Sequence, residues 1–465
     1  MTPILTDTPS AEITRLREQQ RQFFRSGISR SLDFRKEMLR QLLASIKEYE
    51  AEMLQALALD LGKSEFEAYS NEIGLVYSEI RYFLKNLKKW ASPRGIFPDL
   101  PLLPGTAKIH REPYGSVVIM APWNYPMQLL FLPLVGAIGA GNTAILKPSE
   151  LAVHTALVSQ KIVESAFAPE FLALVQGGPE VSKALIEADF DYVFFTGSVP
   201  VGRQIMAAAA PYLTPLTLEL GGKSPTFVHS DADVSYAARK IALGKFNNAG
   251  QTCVAPDYIL VHKSIARDLV SALGDTITEF YGENPIESAN YGRIINQRHF
   301  DRISDLLEGA TISLGGQIDR ESRYIAPTLL YPATWADKAM EDEIFGPVLP
   351  ILEYEDLEEA IFWVQDRPKP LALYVFSRDS KVSKRVTEAI SFGGGCVNST
   401  LLHVASHKLP FGGVGPSGQG NYHGKASFKC FSHQKSMLTQ PSFLDLGIAY
   451  PNKNLGIDKV RRIFH

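Results

Sequence analysis

Cysteine is scarce. Three residues in 465 are too few for a disulfide framework, and their odd number leaves at least one thiol free. Ordinary thiols in a reducing, cytoplasmic compartment are what this usage suggests. No CxxC pair and no Cys/His spacing of the zinc-binding kind occurs, so no metal is expected. Long apolar runs are also missing. A spanning helix needs about 20 uninterrupted apolar residues. The nearest stretch, Val117 to Ile145, is broken by Pro122, Asn124, Pro126, Pro133 and several glycines. Met1 to Ser10 has no basic segment followed by an apolar one, so no secretory signal is expected. Nor is there an excess of one charge: 47 basic against 50 acidic residues, net −3, offers no basic face to nucleic acid. What is present, 45% hydrophobic and 21% charged residues, is the composition of a soluble globular protein with two or three domains.

Ala11 to Leu59 reads as long amphipathic helices, with Leu39, Leu42, Leu43 and Ile46 at three- and four-residue steps. Glu65 to Trp90 repeats the pattern with Ile73, Val76, Ile80, Phe83 and Leu87. Ser92 to Gly105 then carries Pro93, Pro98, Pro101 and Pro104, which end the helix and favour an extended segment. From Gly115 short apolar strands alternate with helices: Val117 to Met120, Thr143 to Leu146, Leu172 to Gln176 and Tyr192 to Phe195. A second alternating series runs from Thr226 to about Phe376. Such alternation predicts parallel sheets covered on both faces, in two α/β domains.

Cys253 stands in Asn247-Asn248-Ala249-Gly250-Gln251-Thr252-Cys253, where Gly250 and polar neighbours suggest a turn. A reactive thiol needs partial exposure and help in forming its thiolate; a structural cysteine would look the same from sequence. Cys396 and Cys430 have no partner pattern. In Leu218-Glu219-Leu220-Gly221-Gly222 a carboxylate between leucines would be partly desolvated, raising its pKa toward a general base's range. Asn124, enclosed in Pro122-Trp123-Asn124-Tyr125-Pro126, should have a dedicated partner. It is either a loop-stapling amide or a donor to an oxyanion. The loop Phe195-Thr196-Gly197-Ser198-Val199-Pro200-Val201-Gly202 follows a strand and opens a helix at Val199, where free N–H groups attract phosphate. Gly136 to Gly141 has the wrong order for a dinucleotide loop and reads as close helix packing. Lys147-Pro148-Ser149-Glu150 follows a strand, at the end where α/β sheets bind ligands.

Together these segments resemble the aldehyde dehydrogenase superfamily from about Arg21 to Ser436. PWNYP, KPSE, FTGSVPVG, ELGGKSP, FNNAGQTC, EIFGPVLP and PFGGVGPSG arrive in the family's order. The short N-terminus, Ala255-Pro256-Asp257-Tyr258, and Tyr422-His423-Gly424-Lys425 with Phe428 and Ser432-His433 resemble its class 3 branch, which includes fatty and aromatic aldehyde dehydrogenases. The resemblance implies Cys253 as nucleophile, Glu219 as general base, and Asn124 with the Cys253 N–H as oxyanion donors. It implies cofactor contacts at Trp123, Lys147, Glu150, Gly197, Ser198, Gly202, Leu220, Glu343 and Phe345, and substrate contacts at Tyr125, Leu129 and Phe411, lining the entrance. The expected reaction is oxidation of an apolar aldehyde to its acid through a Cys253 thiohemiacetal and thioester. Glu150 would repel a 2′-phosphate and so favours NAD, with NADP left open by the class.

The expected organisation is a dinucleotide-binding domain over 1–91 and 112–220 and a catalytic domain over 221–420. A small β oligomerisation arm is expected over 92–111 and 421–440, and a tail over 441–465. The resemblance implies a homodimer, although the arm segments would equally suit an intramolecular ribbon. The tail, with Asn452, Lys453, Asp458, Lys459, Arg461 and Arg462, holds no spanning segment. A surface helix at Leu455 to Phe464 leaves peripheral membrane contact open. Three alternatives stand beside this reading: a CoA-acylating relative, which would lack Glu219; a non-catalytic binding protein retaining the fold; and a cysteine protease using His403 or His407.

Overall fold

The computed structural model describes residues 5–443 together with Tyr450, Ile457, Asp458 and Arg461. The surface helix expected at 455–464 lies largely outside these residues. No helix among the described residues is long and apolar enough to cross a membrane.

The N-terminal amphipathic stretch folds as α1 (Ser10–Arg25), α2 (Leu32–Glu48) and α3 (Glu50–Leu61). Ser31 caps α2 by accepting the Phe34 N–H, and Gly62, at φ 66°, ends α3 in the left-handed region. The expected single helix over Glu65 to Trp90 is interrupted. A short α4 (Glu65–Ala68) gives way to a π-turn, Tyr69–Ile73, before α5 (Gly74–Ala91). Ile73, Val76, Ile80, Phe83 and Leu87 are all fully buried as their spacing requires, each contributing about 1.5–3 kcal/mol of burial. The proline-rich segment forms β1 (Arg94–Ile96), a 3₁₀ turn and β2 (Thr106–Pro113). It is thus less extended than its prolines suggest.

The first alternating series is β3 (Ser116–Met120), α6 (Gln128–Ala140), β4 (Thr143–Lys147), α7 (Val153–Ala166), β5 (Leu172–Leu174), α8 (Pro179–Glu187), β6 (Tyr192–Thr196), α9 (Val199–Ala209) and β7 (Leu216–Glu219). Every residue of β3, β4 and β6 is buried, as parallel strands covered on both faces must be. The second series holds β8 (Pro225–Val228), α10 (Val234–Phe246), β9 (Tyr258–His262), β10 (Ile312–Leu314), β11 (Ile318–Asp319), β12 (Tyr324–Ile325), β13 (Thr328–Leu330), β14 (Val348–Tyr354), β15 (Ala372–Phe376) and β16 (Gly394–Val397). Strands β17 (Gly418–Gln419) and β18 (Ser432–Thr439) follow.

These strands make a six-stranded sheet of order β17-β7-β6-β3-β4-β5 and a seven-stranded sheet of order β10-β13-β14-β9-β8-β15-β16. A small antiparallel arm, β1-β2-β18, completes the two-domain α/β architecture. Two details depart from the expected spans. Gly418 and Gln419 pair with Leu218 and Glu219 on β7, so the chain has already returned to the first sheet before residue 420. The helix Lys425–Cys430, within the span expected for the arm, packs on α6. The glycines of α6 allow this: a Cβ at Gly136 would lie 2.8 Å from the Ser427 Cβ, and one at Gly139 2.5 Å from the Phe83 ring. That is the close packing expected of Gly136 to Gly141.

Candidate active site

Between α10 and β9 the backbone is strained. Asn248 (φ 51°) and Ala249 (φ 49°) both adopt left-handed conformations, uncommon for residues with a Cβ. Gly250 follows at φ 74°, and a Cβ there would collide with the Gly346 carbonyl. Side chains hold this kink. Asn248 Nδ2 donates to the carbonyls of Asn124 at 2.8 Å and Gln251 at 3.2 Å. Gln251 Nε2 donates to Asn248 O and Arg293 O, both at 3.0 Å. The kink presents Cys253, half-buried, on the turn that follows.

Asn124 is 3% exposed and has its dedicated partner: Nδ2 donates to Gln251 O at 3.0 Å. Tyr125 hydrogen-bonds through its hydroxyl to Thr252 Oγ1 at 2.7 Å. The segment after β3 and the segment before Cys253 are therefore stitched together twice.

Glu219 ends β7 at 2% exposure, and neither carboxylate oxygen has a protein hydrogen-bond partner. Burial holds its pKa well above the usual carboxylate range. Burial also pushes the Cys253 thiol up to about 12, and the negative charges of Glu343 and Glu219 add to the effect. Glu343 is itself pushed up to about 8, by burial and by Asp257, and it lies where a Cβ at Gly221 would be. Glu219 and Glu343 are thus both near enough to the Cys253 thiol to disfavour its thiolate. The hydroxyl of Tyr422, raised by burial, is also sensitive to Glu219 and Cys253. Tyr422 bridges Phe411 in antiparallel fashion, which brings Phe411 to this neighbourhood. Tyr125, Leu129 and Phe411 are 7%, 7% and 5% exposed, deeper than an open entrance would leave them. Leu129 sits one helical turn after Tyr125, its N–H bonded to the Tyr125 carbonyl at 2.9 Å.

Of the residues expected to hold a cofactor, Trp123, Lys147, Glu150, Gly197, Ser198 and Leu220 stand at or just past the carboxyl ends of β3, β4, β6 and β7. Gly202 lies in α9, and Glu343 and Phe345 come from the segment before β14. Gly197 N–H donates to the Glu219 carbonyl at 3.0 Å, and a Cβ at Gly202 would lie 2.6 Å from the Leu220 side chain. Ser198 is the N-cap of α9 and makes no side-chain cap bond. Thr196 Oγ1 beside it is buried without a partner. Lys147 Nζ, at the end of β4, reaches Glu150 Oε2 at 3.3 Å. Trp123 meets Phe345 edge-on, with ring centroids 5.3 Å apart. The histidines of the protease alternative point elsewhere: His403 lies 3.5 Å from Cys396, and His407 bonds Ser78 and Glu79.

Sequence reasoning missed Lys63, Glu72, Asn248, Gln251 and Tyr422. The one available signal was Glu72, a charge set directly beside the core position Ile73 within an amphipathic stretch.

A half-buried cysteine on the turn between α10 and β9, with Glu219 and Glu343 near enough to act on it, suits the two-domain α/β fold of a dehydrogenase. The profile of the aldehyde dehydrogenase family matches residues 6–437, and the chain belongs to that family. It is 49% identical over 431 residues to 4,4'-diaponeurosporen-aldehyde dehydrogenase of Staphylococcus aureus, covering 92% of this chain and 94% of the relative. It is 47% identical over 418 residues to aldehyde dehydrogenase family 3 member A2 of Mus musculus (90% and 86%). It is 44% identical over 443 residues to the dimeric NADP-preferring aldehyde dehydrogenase of Canis lupus familiaris (95% and 98%). Among solved structures, substrate-bound AldH of Staphylococcus aureus superposes with a TM-score of 0.96 at 47% identity, covering 97% of this chain and 99% of that one. Indole-3-acetaldehyde dehydrogenase of P. syringae, in complex with NAD+ and IAA, gives 0.86 at 26% identity (94% and 90%). The class 3 resemblance agrees with these relatives, and the enzyme is an oxidoreductase acting on aldehydes.

Proposed function

We propose that this enzyme oxidises apolar aldehydes, medium- or long-chain aliphatic or aromatic, to carboxylic acids with NAD(P), through an adduct on Cys253. The observation that carries this reading is the Glu219 carboxylate: buried, without a protein partner, and close enough to raise the Cys253 thiol's pKa. The Cys253 thiol releases its proton to solvent, the thiolate sulfur bonds to the aldehyde carbon as the carbonyl π bond opens, and the oxygen takes the negative charge. Asn124 Nδ2 and the Cys253 backbone N–H are the donors for that oxygen; Nδ2 carries two hydrogens, so one stays on Gln251 O at 3.0 Å while the other serves the oxyanion. Losing one such donor costs about 10²–10³ in rate. Once the substrate carbon has given up its hydride and the thioester stands, Glu219 in its ionised form takes a proton from the attacking water, the C–S bond breaks, and the leaving sulfur takes that proton as the thiol.

The surrounding residues fit NAD(P). The unpartnered Thr196 Oγ1 and the uncapped first turn of α9 suit a pyrophosphate beside Gly197, Ser198 and Gly202. Lys147 and Glu150 would take the adenine ribose; Trp123, Leu220, Glu343 and Phe345 would border the nicotinamide half. Bound there, the nicotinamide supplies the acceptor for the hydride the substrate carbon gives up. Glu150 favours NAD, and NADP stays open because a relative of this chain is NADP-preferring. The arm β1-β2-β18 is the proposed dimer contact, the domain spans are those expected from the sequence apart from the two departures noted, and the compartment is cytoplasmic.

Two measurements test this. With NAD and with NADP, kcat/KM should rise along a series of aldehydes of increasing chain length; higher values for short polar aldehydes would overturn the substrate class. Glu219→Gln should give a single burst of reduced cofactor per subunit and a covalently acylated Cys253 by intact mass. Undiminished turnover by that variant would remove Glu219 from the mechanism.

A further inference from the structure

Lys63 and Glu72 form an ion pair whose side chains are both 0% exposed, Nζ to Oε1 at 2.5 Å. Desolvating two charges often offsets their attraction, so stability alone explains the pair poorly. Its remaining contacts all go to one segment. Lys63 Nζ donates to the Asn124 carbonyl at 2.9 Å and lies 4.1 Å from the centre of the Tyr125 ring. Glu72 Oε2 accepts from the backbone N–H groups of Met127 at 2.9 Å and Gln128 at 3.2 Å. A single pair therefore grips both ends of the five residues Asn124 to Gln128. The same Asn124 carbonyl also receives Asn248 Nδ2 from the strained turn before Cys253. A second buried carboxylate, Glu67, takes the backbone N–H of Asn248 beside Lys63. Glu72 stands on the π-turn Tyr69–Ile73, a distortion that recurs at functional sites.

We infer that Lys63 and Glu72 are positioning residues: they anchor the backbone of Asn124 to α4–α5, and so aim its amide at the oxygen that becomes negative on attack by Cys253. This rests on the proposed role of Asn124. Neither side chain touches the reacting atoms; both act through the Asn124 carbonyl and the start of α6.

Removing Lys63 alone strands the Glu72 charge in the interior, so Lys63→Met is compared with the charge-free pair Lys63→Met/Glu72→Gln. In the full-length enzyme, the double variant should unfold cooperatively, keep KM for the aldehyde within about twofold, and lose about 10- to 100-fold in kcat, the order expected for a displacement near 1 Å. In an Asn124→Ala background that loss should shrink below about threefold, because both changes disable one donor. A merely structural role would leave the loss undiminished in that background. The inference is overturned if the double variant keeps kcat within about twofold of the parent, or if its loss adds in full to that of Asn124→Ala. If Asn124→Ala itself leaves kcat unchanged, the oxyanion role fails first and the inference falls with it.

Discussion

Two side chains set the behaviour of the site through burial. Glu219 holds its proton far above pH 4.5 because the interior disfavours its anion. Its unfolded counterpart ionises near the ordinary value, so the folded state binds more protons and loses stability as pH rises from there through the folded pKa. Glu219→Gln removes that penalty. The variant should be more stable than the parent at neutral and alkaline pH, where the parent carries the cost of its displaced titration. The difference should vanish in acid, and urea denaturation at several pH values checks it. Cys253 carries the complementary prediction. Its thiol is raised first by burial and then by Glu343, so Glu343→Gln lowers the thiol pKa. In the enzyme without cofactor, alkylation of Cys253 by iodoacetamide at ~pH 9 should be severalfold faster in that variant. An unchanged rate would mean that the Glu343 charge does not reach the sulfur.

At the scale of elements, α6 does the most to assemble the site, since its first residues follow Asn124 and its glycines admit its neighbours. A methyl group at Gly139 would press on Phe83 of α5. Gly139→Ala should therefore destabilise the fold by about 1–3 kcal/mol through overpacking, read as a lower denaturation midpoint at unchanged slope. The helix periodicity around α5 was legible because each apolar residue there needs only its neighbours three and four positions away. The π-turn before it was not. It answers Glu72's contacts with Lys63, Met127 and Gln128, and no local spacing encodes a partner 55 residues distant.

For the whole molecule, the arm offers its eight-residue strand β18, exposed along seven of those residues, including Met437 and Leu438 at 49% and 43%. Phe97 and Leu100 beside the arm are exposed above 80%. Exposed apolar groups of this kind are what the proposed dimer contact would cover. The native enzyme should sediment as a dimer, and Phe97→Asp combined with Leu438→Lys should shift it to monomer. A monomeric parent would refute the arm's proposed role.

The amino-acid sequence by itself determined the alternating strands and helices, the two-sheet architecture, and the residues Cys253, Glu219 and Asn124 as the ones to look for. Each of those depends on short spacings or on compact motifs that survive as strings. Tertiary structure alone decided which charges go unanswered and which are paired. Glu219's carboxylate oxygens meet no donor in the folded chain, and Lys63 reaches Asn124 because folding brings positions 61 residues apart within 2.9 Å. Electrostatic energy depends on distance and dielectric in three dimensions, and neither is written in the order of residues along a chain.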